Sequence, residues 1–351
     1  MDDIRIEKIN STILITLTRE KVLNALNLKM VREIYKHIDN WDKDEQISGV
    51  IIKGAGEKSF CAGGDIVSVY HSREDSENNI SDSFFREEYI LNYAISEFSK
   101  PWISVLNGIA MGGGLGLSVH GSYRIVNDMS ITAMPETAIG LFPDVGGGYF
   151  LSRMGPVGLY LALTGKVMNG VDSMQVGIGT HYIQNNKLDS ILKELTDQNK
   201  YSKSFVDNLF SKHCEKVFDK ESVLKKELKY INKHFDNSQL VDIYNSLKSD
   251  NSEWALNTLK VFSKKSPTSM SVTTRQLANA KTLNLKECLK MEFRICQAMM
   301  AKNDFYEGVR ANLVEKDRNP IWKPNDILNV DEKLIQEHFR DLGDKELFLN
   351  E

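Results

Sequence analysis

Ala110-Met-Gly-Gly-Gly-Leu-Gly116, followed about twenty residues later by Met134-Pro-Glu-Thr-Ala-Ile-Gly-Leu-Phe-Pro-Asp-Val-Gly-Gly-Gly148, decides the reading of this chain. The glycines follow an apolar run, Trp102 to Leu106, and precede another, Leu115 to Val119. That pattern predicts a strand, a tight turn and a helix start. A helix N-terminus presents N–H groups without intrahelical partners and a partial positive charge, so it can hold a developing oxyanion. The second stretch carries two carboxylates, Glu136 and Asp144, among Gly140, Pro143 and Gly146, which oppose a continuous helix. Donors for an oxyanion and carboxylates for proton or nucleophile work are the parts of acyl chemistry.

Adjacent glycines by themselves mark a turn or a close backbone crossing. The cluster fits neither a phosphate-binding P-loop, since no Gly-Lys-Ser/Thr follows, nor the Gly-x-Gly-x-x-Gly dinucleotide spacing. A third element argues for one site. Phe60-Cys-Ala-Gly-Gly-Asp-Ile66 follows a β-branched run, Val50-Ile-Ile-Lys53, and the turn Gly54-Ala-Gly56. Two glycine turns after two apolar strands, plus an acidic third loop, are more economically one site than three unrelated turns. Cys61 lies within the first glycine turn, and its residue type suits small buried packing better than nucleophilic work.

These stretches resemble the crotonase superfamily, the enoyl-CoA hydratase/isomerase family. Together with Phe84-Phe-Arg-Glu-Glu-Tyr89, Met111 to Gly121, Lys265-Ser-Pro-Thr-Ser269 and Asp304-Phe-Tyr-Glu-Gly-Val-Arg310, they are most similar to its 3-hydroxyisobutyryl-CoA hydrolase branch. The resemblance covers about residues 5–323. It implies an α/β fold with the stacked ββα spiral of crotonases and a helical C-terminal region. The domains it implies are a core over 1–190, carrying the CoA and catalytic site, and a mainly helical part over 191–351 that covers the site.

The resemblance also assigns roles. Glu136 becomes the catalytic carboxylate, as base or as nucleophile, and Asp144 the second acid, orienting water or returning a proton to the thiolate. The Gly64 and Gly113 N–H groups become the oxyanion donors, with Gly113, Glu136 and Asp144 all in contact with substrate. Glu88 accepts from a substrate 3-hydroxyl, with adjacent Glu87 as the competing register. Gly64, Asp65 and Ile66 meet CoA. The family's hydratases carry a Glu two residues after the third turn glycine, where this chain has Gly116. One of the two carboxylates that hydration needs is therefore missing, which favours hydrolysis. The alternatives are an enoyl-CoA hydratase or isomerase and a non-catalytic binding protein on the same fold.

Composition narrows the partners. A formal net charge of -4, with 41% hydrophobic and 26% charged residues, describes a globular chain without the basic footprint of a nucleic-acid binder. No apolar run approaches the ~20 residues of a membrane span. Four cysteines without metal spacing suggest reduced thiols, and the seven dispersed histidines suggest no metal site. No cofactor is expected beyond the CoA of the substrate itself. The N-terminus begins alternating at once, without a leader, which suggests a bacterial cytoplasmic protein or a mitochondrial-matrix protein whose transit segment was removed. The resemblance implies a homo-oligomer, a trimer being the superfamily's usual form.

Along the chain, strands are expected at Ser11 to Leu17, Gly49 to Ile52, Trp102 to Leu106, Tyr123 to Val126 and His181 to Ile183. Helices are expected at Leu28 to Trp41, Val157 to Leu163, Val171 to Val176, Glu253 to Phe262, Ser269 to Ala280, Leu285 to Met300 and Asp304 to Asn312. Glu74 to Ser83 reads as a surface loop. Leu188 to Asp250 is lysine- and acid-rich, and within it Lys193 to Lys248 reads as solvated helices packed on one apolar stripe.

Overall fold

A computed structural model describes residues 2–73, 80–217, 220, 222–237 and 239–348. The described residues contain ten strands: β1 (Ile4–Ile9), β2 (Thr12–Leu17), β3 (Gly49–Gly54), β4 (Ser59–Cys61), β5 (Trp102–Val105), β6 (Ile109–Met111), β7 (Tyr123–Val126), β8 (Ile131–Ala133), β9 (Met168–Asn169) and β10 (His181–Tyr182). They form a six-stranded sheet in the order β1-β2-β3-β5-β7-β10 and a four-stranded sheet in the order β4-β6-β8-β9. From β2 to β10 every pairing of the larger sheet is parallel. Strands buried on both faces read as continuous apolar runs, as Val50, Ile51 and Ile52 do. In that sheet β1 is antiparallel, turned back on β2 through Asn10, whose φ of 51° suits a two-residue hairpin, and in the smaller sheet β8 pairs antiparallel with β9.

The chain divides into two compact units, each built from three separate stretches. The first comprises Met1–Gly64, Leu91–Thr132 and Val167–Lys225. Its core packs Ile51, Ile103, Val105, Tyr123 and Ile125 of the sheet against Leu188, Ile191 and Leu195 of the helix Asn185–Thr196 and Val206, Leu209 and Phe210 of the helix Lys203–His213. The lysine-rich segment shows such a stripe up to Phe210, but it does not pack on one stripe throughout, since from Lys226 onward it belongs to the second unit. The second unit comprises Asp65–Ile90, Ala133–Lys166 and Lys226–Glu351. At its centre is the helix Pro267–Ala280, almost wholly buried among the helices Gly147–Ser152, Pro156–Thr164 and Leu285–Met300. Ser266 caps it by accepting from the Ser269 N–H, and Pro267 fills the first turn, where its missing N–H removes no helical bond.

Three local expectations are corrected. Residues 74–79 of the expected loop lie outside the described residues, as do 218, 219, 221 and 238 of the lysine-rich segment, but Ser81–Ser83 already belong to the helix Ser81–Glu97. The apolar run Leu115 to Val119 does not continue as a helix; Gly113–Gly116 is a single turn. The helix expected over Asp304 to Asn312 is α-helical only over Asn303–Val309 and widens to a π-helix over Arg310–Val314.

Candidate functional site

In the first unit, β4 and β6 run parallel, with Ser59 opposite Ile109 and Cys61 opposite Ala110. The two glycine turns therefore leave the same end of neighbouring strands, the carboxyl end where open α/β sheets bind ligands. Gly112, at φ 47° and ψ -121°, reverses the chain into the one-turn helix that Gly113 begins. A Cβ on Gly114 would overlap the Cys61 carbonyl, so glycine is what lets the turns touch. The Leu26 N–H donates to the Gly63 carbonyl at 2.8 Å, and Leu26 forms a parallel bridge with Gly64. Gly113 is buried and Gly64 half-buried. The Cys61 thiol is buried and donates to the Gly63 carbonyl at 3.5 Å, which suits packing rather than attack.

The second unit holds the acids. Asp65 caps the helix Ile66–Ser72 by accepting from the Ser68 N–H at 3.2 Å, and both Asp65 and Ile66 are half-buried. Glu136 opens a 3-10 turn, Glu136–Ile139, that ends at Gly140 with φ 70°. Asp144 lies in the loop between that turn and the helix Gly147–Ser152. Glu88 comes from the helix Ser81–Glu97, where it is buried while Glu87 is half-buried. Their relative exposures, 2% for Glu88, 5% for Glu136 and 4% for Asp144, mean that none can rely on water to hold a charge.

The consequences are electrostatic. Burial, then the charges of Asp144 and Glu136, raise the Glu88 pKa well above the usual carboxylate range. Burial and Asp144 raise Glu136 likewise, while its own backbone N–H and the Lys265 ammonium pull the other way. Burial takes Asp144 to about 7, against the hydroxyl of Tyr89, which donates to its Oδ2 at 2.8 Å, and its own backbone N–H. Lys265, itself pushed down to about 8 by burial, is held up by Glu136. Among the described residues, Oε1 of Glu88 and Oε2 of Glu136 accept no hydrogen bond. Three buried acids that raise one another's pKa values make this cluster a candidate site for proton transfer.

The acids named from sequence, Glu88, Glu136 and Asp144, are thus brought together within one unit, and Gly64 and Gly113 within the other. Sequence reasoning missed Glu292, fully buried, which accepts from the Gly146 and Gly148 N–H groups at 2.7 and 2.8 Å, and Gln276, which donates to it at 3.1 Å. Glu292 did leave a signal. It shares the apolar stripe Cys288, Leu289, Phe293, Cys296 and Met299 of its helix, where a carboxylate has no solvent reason to be.

A family model described as Enoyl-CoA hydratase/isomerase matches residues 12–339. The chain belongs to that family. It is 45% identical over 351 residues to the mitochondrial 3-hydroxyisobutyryl-CoA hydrolase of Danio rerio, covering 99% of this chain and 92% of that protein. With the protein of the same name from Homo sapiens it shares 44% over 350 residues, 99% of this chain and 90% of the relative. Among solved structures, a carnitinyl-CoA dehydratase from Mycobacterium thermoresistibile superposes with a TM-score of 0.92 at 33% identity over 100% of both chains. An enoyl-CoA hydratase from Rhodobacter sphaeroides gives 0.90 at 31% over 99% of both.

Proposed function

We propose that this chain hydrolyses the thioester of 3-hydroxyisobutyryl-CoA, and of 3-hydroxypropionyl-CoA as a second substrate, to the free 3-hydroxy acid and CoA in valine catabolism. Near-full-length identity to hydrolases of that name carries the assignment, and the buried acid cluster gives it a chemistry. Water adds its oxygen to the acyl carbon, the C–S bond breaks, and the thiolate leaves as a thiol once protonated. Glu136 takes the proton from that water, or attacks first to form a mixed anhydride that water then splits. A carboxylate whose pKa burial raises above the ordinary range is, when ionised, a stronger base than an exposed one. Asp144, at about 7, can hold a proton for the leaving thiolate at neutral pH. The N–H groups of Gly64 and Gly113 hold the oxyanion, each such donor being worth about 10²–10³ in rate. Gly64, Asp65 and Ile66 contact CoA, and Glu88 accepts from the substrate 3-hydroxyl.

In this reading residues 1–190 are the core that carries CoA and the catalytic groups, the chain assembles as a homo-oligomer, a trimer, and no separate cofactor is used. The protein works in the mitochondrial matrix, a location supported by the relatives' names, which specify mitochondria and lend no support to the bacterial cytoplasm. Hydration of an enoyl-CoA is the second reading, favoured by the likeness to the enoyl-CoA hydratase from Rhodobacter sphaeroides. Gly116, where a hydratase would carry its second glutamate, opposes it.

Free-thiol release from a small panel of acyl-CoAs separates these readings, run beside the absorbance change of enoyl-CoA hydration. Thiol should appear far faster from 3-hydroxyisobutyryl-CoA than from isobutyryl-CoA, because the plain acyl chain leaves buried Glu88 unpaired. Glu88→Ala should shrink that ratio. Equal rates on the two thioesters would remove hydroxyl recognition, and hydration without thiol release would replace hydrolysis altogether.

A further inference from the structure

Asp144 sits in a strained loop, where its carbonyl accepts from the Gly147 N–H at 2.6 Å. Val145, a β-branched residue, is forced to a φ of 51°, and Gly146 follows at 81°. A β-branched side chain in the left-handed region is strained and persists only where its surroundings over-determine it.

Among the groups that hold it are a buried carboxylate and its partner. Oε2 of Glu292 accepts from the Gly146 N–H at 2.7 Å, and Oε1 accepts from the Gly148 N–H at 2.8 Å. The Gln276 amide donates both to that Oε1, at 3.1 Å, and to the Pro143 carbonyl, at 2.8 Å. A Cβ on Gly148 would come within 2.9 Å of Glu292 Oε1, so this glycine admits the carboxylate. The backbone is thus gripped just before Asp144 and just after it. On its other side the Asp144 carboxylate meets the Tyr89 hydroxyl. Burying a carboxylate raises the Glu292 pKa to about 8 even against those N–H donors. A helix needing only packing at this position would carry an apolar residue.

We infer that Glu292 is a positioning residue for Asp144: it clamps the strained Pro143–Gly148 loop so that the second acid is held at one place for proton transfer. The inference rests on the hydrolase reading and its role for Asp144. A small displacement of a catalytic group can slow a reaction about 10²-fold while leaving binding intact.

The test is a double-mutant cycle in the full chain, read as thiol release from 3-hydroxyisobutyryl-CoA. In Glu292→Gln an amide N–H₂ opposes one of the two loop N–H groups, so one grip is lost at nearly constant volume. Its kcat should fall about 10- to 100-fold with KM changed less than about threefold. The double variant with Asp144→Asn should be no slower than Asp144→Asn alone, because Glu292 acts through Asp144. Gln276→Met, which keeps the volume and removes the donor, should show the same kcat-selective loss and the same non-additivity, and serves if Glu292→Gln fails to fold. A full kcat in these variants beside a slow Asp144→Asn would overturn the inference and leave the hydrolase reading standing, as would effects that multiply in the double variants. A full kcat in Asp144→Asn itself would overturn the inference together with the catalytic role of Asp144, while the thiol released would leave the hydrolase reading standing.

Discussion

At Glu136 the protein keeps a carboxyl group buried beside a second acid, with Oε2 accepting no hydrogen bond among the described residues. An unmatched buried acceptor is costly, on the order of 1–3 kcal/mol, and a residue kept only for structure would have been relieved of it. Glu136→Gln preserves the shape but can act as neither base nor nucleophile at neutral pH. Thiol release should fall by about 10²–10⁴-fold, the usual worth of a positioned acid or base, while calorimetry shows CoA binding unchanged. Asp144→Asn should lower kcat with a smaller effect on KM. A variant Glu136→Gln that keeps most of its kcat would remove that residue from the chemistry, and a pure KM effect at Asp144 would make it a binding group.

The decisive element contact is between the two glycine turns, where Gly114 packs on the Cys61 carbonyl. Gly114→Ala must push the β4 and β6 turns apart, and neither side of that contact is a flexible side chain. Overpacking of this kind costs about 1–3 kcal/mol. The same shift moves the Gly113 N–H, so kcat should fall further than the stability loss explains. Thermal unfolding and thiol release measured on one preparation check this; an unchanged kcat would detach Gly113 from oxyanion binding.

Elements differed in how openly the sequence announced them. The helices Glu253–Phe262 and Leu285–Met300 have the bounds that periodicity predicts, because their apolar spacing runs over several turns. Strands β4, β6 and β8, three residues each, and β9, two, are too short for any alternation to register. Glu88, Glu136 and Asp144 were legible through motif wording. Their dependence on Tyr89, Lys265, Gln276 and Glu292 was not, because those partners are joined by packing across long stretches of chain.

For the molecule as a whole, several buried acids with raised pKa values make stability depend on pH with an unusual sign. Asp144 goes from 3.8 to about 7 and Glu292 from 4.5 to about 8, and Glu88 and Glu136 move in the same direction. Between pH about 4 and about 8 the folded state therefore binds more protons at these sites than the unfolded chain. Their contribution is fully present below the unfolded pKa and is lost as pH rises through the folded one, a tenfold difference in proton affinity being worth about 1.4 kcal/mol. Half-buried His181 and buried His338, whose pKa values burial lowers, run the opposite way, gaining stability as pH rises through the ordinary histidine range. Comparing wild type with Asp144→Asn removes that opposing background, since both chains carry the histidines. The amide cannot ionise, so Asp144→Asn should melt about 2 °C or more above wild type at pH 8, with the gap closing toward pH 5. A pH-independent gap would mean that Asp144 titrates alike in both states, and that the cluster's charges are balanced within the fold. A gap that closes would mean that this protein gives up stability at working pH to keep ionisable groups where thioester chemistry needs them.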